Sequence, residues 1–461
     1  MTDLDIGRAW LVDPAAAREG PGEVVVRDGI LEAVTWLEGS EADGIDASVV
    51  VVAPGFIDLH THLREPGNED AETVATGLAA AAHGGFTTIC AMPNTTPALD
   101  EPGVLSHIRG AAAASGSPLE LLAYGAVTTG RAGEVLAALG ELADAGVVGF
   151  SDDGSPVGSA SILRNALAYA GALGLPIVDH PEDSSLTEGA EANDGFVATV
   201  LGLRGWPSSA EEVAVGRDIA ILADVRRDVP GARLHLTHIS SAGALELVRR
   251  AKEVGLPVTC DVTPHHLALT DEWVAGARRF AWEAGEAGDP WRDGAIVAPP
   301  YASSLRVNPP LRTPADALAC LAALADGTAD AIATDHAPHS EVDKGVEFGS
   351  AANGISGIET ALGLVLAAVD AGQLTLMRAV TALTVGPAAI LGGRSRRNGS
   401  VGFVEGAPAD LVVFDRSESW TVTREALVSR GKNSPLLGRE LSGRVLLTVA
   451  AGRVAFEAPI D

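Results

Sequence analysis

Through the middle of the chain, short apolar runs alternate with Ala- and Leu-rich stretches of helical period, the pattern of a parallel α/β fold. Eight strands are predicted: Gly55–His62, Thr87–Pro93, Leu119–Val127, Val147–Asp152, Pro176–His180, Arg233–Ile239, Pro257–Thr263 and Asp330–Asp335. Most precede a helix candidate, among them Ala71–His83, Ala160–Leu173 and Ala242–Val254. Eight such units predict a TIM-like (β/α)8 barrel, whose site lies at the C-terminal ends of the strands. A doubly wound sheet is the rival, but it leaves unexplained why polar residues collect after so many strands.

The two ends read as β-structure. Glu23–Arg27 turns at Asp28-Gly29 into Ile30–Val34, and an Asp-Gly between two β-rich runs signals a hairpin. Ala409–Asp415, Val445–Val449 and Gly452–Phe456 are similar runs. A small β-sandwich domain built from both termini is therefore expected, with residues 1–54 and 391–461 flanking a barrel of 55–390. The stretch Asp271–Leu305, rich in Gly, Ala, Trp and Asp, reads as a loop or insertion over the barrel mouth.

Composition narrows the function. With 61 acidic against 32 basic residues the net charge is −29, a field that repels phosphate backbones and disfavours nucleic acid. No run of about 20 apolar residues suggests a membrane span, and Met1–Asp5 has no basic start leading into an apolar signal segment. Three scattered cysteines, Cys90, Cys260 and Cys320, do not make a disulfide framework. A cytoplasmic protein is expected.

The polar residues at the strand ends carry the chemistry. His60 and His62, two apart on the first strand, point to one face and can reach one metal. Alone that spacing is weak, but His180, His238 and Asp335 end strands five, six and eight, so four histidines and a carboxylate converge at one rim. Two closely spaced dications need a bridging anion, and Asp152 or Asp153 after strand four can supply it, the other capping the turn before Gly154. A carboxylated lysine is excluded there, because the first lysine of the chain is Lys252. His265 and His266 read as packing residues, His83, His107 and His235 as structural ones, and His336 as pointing away from Asp335.

The run Asp58-Leu59-His60-Thr61-His62-Leu63-Arg64-Glu65-Pro66-Gly67 resembles the dihydroorotase signature. So do Ala91–Thr95, Phe150–Gly154, Thr263–Leu267, Val307–Arg312, Ala333–His339 and Lys432–Pro435. The resemblance is to the long bacterial class, in which an aspartate replaces the carboxylated lysine of the hydantoinases. It implies two zinc ions per subunit: His60, His62 and Asp335 on one, His180 and His238 on the other, with Asp153 and a hydroxide bridging. It further implies that the hydroxide opens the amide ring of dihydroorotate to N-carbamoyl-L-aspartate, Asp335 serving as catalytic base and then acid. In pyrimidine biosynthesis this step runs in reverse.

Substrate contacts implied by the resemblance are His62, Arg64, Asn94, Asn308, His339, Asn353 and Gly354, with Arg64 able to grip a carboxylate. The clearest departure is Ala352-Asn353-Gly354, where many dihydroorotases have Pro-Phe-Gly. An allantoinase or a hydantoinase/dihydropyrimidinase-like enzyme is the alternative, and an inactive scaffold for aspartate transcarbamoylase is a third. No ligand position is missing, which argues against the scaffold. The expected partners are the small-molecule substrate, a second copy in a homodimer, and an aspartate transcarbamoylase.

Overall fold

The computed structural model describes residues 2–42, 44, 49–284, 289–395 and 401–459. Phe56–Thr61, Phe86–Ala91 and Glu120–Ala123 pair in parallel as the first three barrel strands. Ile177–Asp179, Leu234–Leu236, Val258–Val262 and Ala331–Ile332 continue the ring in the same sense. The predicted fourth strand is reduced to isolated bridges, Phe150 pairing with Gly125 on one side and Ile177 on the other. Backbone bonds still bind it there, Gly125 N to Gly149 O at 3.0 Å and Val178 N to Phe150 O at 2.8 Å. Thr61 bridges His336, and His62 N donates to His336 O at 2.9 Å, so the eighth position meets the first and the barrel closes.

Ile57, Leu59, Cys90, Met92, Tyr124, Val148, Val178, Ala331 and Ala333 form one buried cluster drawn from strands around the ring, which fills the barrel. The expected helices form with slightly different ends, at Val74–His83, Ala160–Ala172 and Ala242–Glu253. The first starts three residues late because Thr73 caps it reciprocally with Thr76.

Strands from both termini share one seven-stranded sheet. The expected hairpin joins Arg18–Arg27 to Ile30–Trp36, with Asp28 and Gly29 at φ +51° and +78° as a tight two-residue turn demands. Two strands missing from the sequence reading complete it. Leu4–Asp13 pairs antiparallel with Arg18–Arg27, and Val50–Pro54 joins Leu4–Asp13 to Leu411–Thr421 at the junction of the two halves. The sheet curls until Leu31 N reaches Ala407 O at 2.9 Å. It packs on the barrel through Phe414, which meets Phe56 at a ring separation of 6.3 Å.

The first part of the segment expected over the mouth is packed, while most described residues from 289 to 304 are half-buried or exposed. The segment contains the helix Glu272–Ala275, and Trp273 and Leu305 are buried in a cluster with Val307, Leu311 and Phe348. Among the described residues no helix is long and apolar enough to cross a membrane.

Candidate metal centre and substrate pocket

Asp58, the first residue of the Asp-x-His-x-His run, is buried and ties the two halves of the site together. Its carboxylate accepts from Thr334 N at 2.9 Å, from His60 N at 3.2 Å and from the Thr334 hydroxyl. The strand carrying His60 and His62 is thereby held against the segment carrying Asp335. His62 Nε2 lies 3.0 Å from Asp335 Oδ1 and 3.2 Å from His60 Nε2.

Across the barrel, His180 Nδ1 and His238 Nε2 are 2.9 Å apart. The carboxylate of Asp153 stands between the pairs. Its Oδ2 is 3.3 Å from His60 Nε2 and 3.5 Å from His62 Nε2, while its Oδ1 is 3.3 Å from both His180 Nδ1 and His238 Nε2. Asp152 turns elsewhere, accepting from Val127 N at 2.8 Å and Thr128 N at 3.1 Å. The two aspartates that sequence chemistry left open are thus separated by geometry, one facing the histidines and one capping a loop.

The donor set fits divalent metal. His62 Nδ1 donates to Asn94 Oδ1 at 2.9 Å, His60 Nδ1 to Thr237 Oγ1 at 2.7 Å, and His180 Nε2 to Glu182 Oε2 at 3.0 Å. With each ring proton held outward, the other nitrogen keeps its lone pair for the centre. His60, His62 and Asp335 form one compact group able to hold an ion, and His60, Asp153 and His238 form another. Burial opposes charge on Asp153, yet the surrounding imidazoles hold its carboxyl well below the usual range. Burial likewise opposes charge on His60, but Asp153 and Asp335 carry it up to about 9. A buried centre whose carboxylates draw in this much positive charge is electrostatically suited to cations.

Two residues of the candidate centre sit in an unusual backbone region, His238 at φ +42° and Asp335 at φ +46°, and Arg64 joins them at φ +62°. Side chains rarely adopt this conformation, and such residues gather at functional sites.

Beside the centre lies a cavity of about 180 Å³, and all seven expected substrate contacts line it. Asn94 accepts from His62 through Oδ1, and its Nδ2 has no hydrogen bond among the described residues. Asn308 Nδ2 donates to Glu182 Oε2 at 2.9 Å. Asn353 O accepts from His339 Nε2 at 2.7 Å, and Gly354 N donates to Arg306 O at 2.9 Å. These two backbone groups are therefore engaged within the protein. Gly354 has φ +145°, and a Cβ there would stand 2.6 Å from that of Ala337, so only glycine fits.

Arg64 has no carboxylate partner among the described residues. Its Nε donates to Pro338 O at 3.1 Å, and its Nη2 lies 3.3 Å from His339 Nε2. Burial, reinforced by Arg64, lowers His339 to about 3, so the imidazole is neutral. Its Nε2 proton points to Asn353 O, which leaves no lone pair there for the guanidinium. The Nη donors of Arg64 thus lack an anion, and burial lowers the group itself to about 10.

Four other histidines have bonding partners outside the centre. His336 Nδ1 accepts from Gly357 N at 3.2 Å, His266 bonds Thr263 and Pro309, His235 bonds Thr259 and Asp261, and His83 bonds Glu359. Sequence reasoning missed Glu182, two residues past His180, and Asp261. The latter accepts from His238 N at 2.7 Å and from His235 Nε2 at 2.8 Å. A short Glu182-Asp183 pair after a candidate ligand histidine was the available signal for the first. Asp261 sits inside a strand and gave none.

A family model described as dihydro-orotase-like matches residues 49–244. A dihydroorotase of Anaeromyxobacter dehalogenans (strain 2CP-1 / ATCC BAA-258) is 47% identical over 460 residues, 99% of each chain. One of Pelotomaculum thermopropionicum is 43% identical over 450 residues, 97% of each chain. Among solved structures, the L-hydantoinase (dihydropyrimidinase) from Arthrobacter aurescens superposes with a TM-score of 0.77 at 24% identity, covering 99% of this chain and 96% of that one. That likeness shows the shared fold, a barrel with a β-sandwich domain from the termini. By its full-length similarity to the curated relatives, the chain belongs to the dihydroorotase family, hydrolases of cyclic amide bonds.

Proposed function

We propose that this protein catalyses the reversible hydrolysis of (S)-dihydroorotate to N-carbamoyl-L-aspartate, the ring-closure step of pyrimidine biosynthesis read backwards. The observation that carries the choice of substrate is Arg64: a half-buried guanidinium on the pocket wall, without a carboxylate partner among the described residues. Dihydroorotate bears a ring carboxylate that such a fork can grip, and plain hydantoins and dihydropyrimidines do not.

In this reading two zinc ions would be held, one by His60, His62 and Asp335 and the other by His180 and His238, with Asp153 as a further ligand. Divalent ions bound there supply Lewis acidity and bring the ionisation of water toward neutral pH. The protein contributes position and proton transfer. Arg64 orients the ring by its carboxylate, and Asn94 Nδ2 and Asn308 add polar contacts on the same cavity wall. Asp335 uses Oδ1 toward His62, while its Oδ2 has no hydrogen bond among the described residues. That oxygen takes the proton released as water adds to the ring carbonyl and returns it to the leaving ring nitrogen.

The test is a purified, zinc-loaded protein assayed in both directions between dihydroorotate and carbamoyl aspartate, beside dihydrouracil and hydantoin. Faster turnover of the carboxylate-free rings would overturn the reading in favour of a dihydropyrimidinase-like activity. A homodimer, association with an aspartate transcarbamoylase and a cytoplasmic location belong to the same proposal. Size-exclusion chromatography, alone and with the transcarbamoylase, tests the first two.

A further inference from the structure

A second cavity, of about 340 Å³, adjoins the substrate pocket and shares His339 with it. Its walls carry three cations, Lys344, Arg424 and Lys432, and one carboxylate, Glu341. In a chain of net charge −29 this is a local reversal of sign. Arg424 is paired with Glu341, which leaves the two lysines unmatched by any carboxylate among the described residues. Lys344 is buried, its ammonium donating to Ser303 O at 3.0 Å and Arg306 O at 2.8 Å. Lys432 donates to Leu427 O at 2.8 Å and to Arg424 O. An ammonium has three donors, so each keeps one. Burial, with the Arg306 guanidinium adding to it, lowers Lys344 to about 7, as expected for a buried cation without a counter-anion.

Hydroxyls complete the wall. Ser304 has no hydrogen bond among the described residues, and Ser434 only accepts one, from Leu436 N at 3.3 Å, so both keep a proton to donate. A planar carboxylate is matched best by an arginine fork, and the arginine here is occupied. Two compact ammonium groups with seryl hydroxyls suit a tetrahedral oxyanion instead.

We propose that this cavity is a second ligand site, distinct from the substrate pocket, which binds the phosphoryl group of a small phosphorylated molecule through Lys344, Lys432, Ser304 and Ser434. The site leans on the substrate wall, because Asn433 lines it and accepts from His339 N at 2.8 Å while donating to Gly354 O at 3.0 Å.

The experiment is calorimetric titration of the zinc-loaded enzyme with inorganic phosphate at constant ionic strength. An excess of dihydroorotate and carbamoyl aspartate at equilibrium keeps the substrate pocket filled. One phosphate per chain should bind, more tightly than succinate. Lys432→Met should weaken it at least about tenfold. Ser304→Glu, a change at a half-buried position that puts a carboxylate into the cavity, should abolish binding while turnover persists. Lys252→Met, on a distant helix, should leave it unchanged. Phosphate that binds only when the substrate pocket is empty belongs to the metal centre and overturns the proposal. Equal binding by wild type and Ser304→Glu overturns it as well, and tighter binding of succinate reassigns the cavity to carboxylates.

Discussion

Glu182 Oε2 accepts from His180 Nε2 at 3.0 Å and from Asn308 Nδ2 at 2.9 Å, so one carboxylate couples an imidazole of the centre to an amide of the substrate pocket. Burial opposes its charge, but His180 holds it down at about 2. Glu182→Gln removes that charge and leaves the ring less firmly oriented. Metal affinity should fall by about 10- to 100-fold, with a rise in KM as Asn308 loosens. Competition against a chelator measures the first and initial rates the second. Unchanged metal affinity would reduce Glu182 to a packing role.

Asp335 should be separable from the fold. Asp335→Asn keeps an oxygen toward His62 but cannot carry the proton, and kcat should fall by about 10²- to 10⁴-fold. Metal analysis beside the rate distinguishes lost proton transfer from lost metal. A near-normal rate would assign the proton to another group.

The barrel was legible in the sequence because strands buried on both faces read as apolar runs, and the candidate ligands because strand ends are where polar residues stand out. The fourth strand expected at Val147–Asp152 takes its place in the ring in a shortened form, its backbone bonding both neighbours from Val148 to Ser151 around the bridges of Phe150. Val50–Pro54 escaped notice because one of its partners is distant in sequence, Pro54 aligning with Leu411, and Leu4–Asp13 because Pro14–Ala17, its turn into Arg18–Arg27, carries no Asn-Gly or Asp-Gly signal. Asp152 and Asp153 could not be told apart from residue type, since their difference lies in where each carboxylate turns. Asn94 was expected to face substrate, and its bond to His62 depends on a rotamer that no sequence pattern encodes.

Arg64→Met tests selectivity. Loss of a charged hydrogen-bonding group should lower kcat/KM for dihydroorotate by about 10- to 150-fold, with metal content unchanged. Any residual activity on dihydrouracil should be barely affected. Equal losses on both rings would show that Arg64 supports the pocket rather than selecting the carboxylate.

Asp271 gives a pH signature away from the centre. It is buried, and burial, offset by the 3.1 Å bond from Asn193 Nδ2 and reinforced by Glu272, raises its carboxyl to about 7. In the unfolded chain the same group titrates near about 4. Between those values the native protein holds a proton that the unfolded chain has lost, so stability declines as pH rises from about 4 to 7. Above pH 7 the buried charge costs its full amount. Asp271→Asn is neutral throughout and can still accept from Asn193 through Oδ1. The variant should therefore melt above wild type at pH 8, and the difference should shrink steadily toward pH 5, as followed by thermal denaturation with both proteins zinc-loaded. Differences in the metal ligands cancel in the comparison, because both chains share them. A gap in Tm that stays constant with pH would mean that Asp271 titrates normally despite its burial.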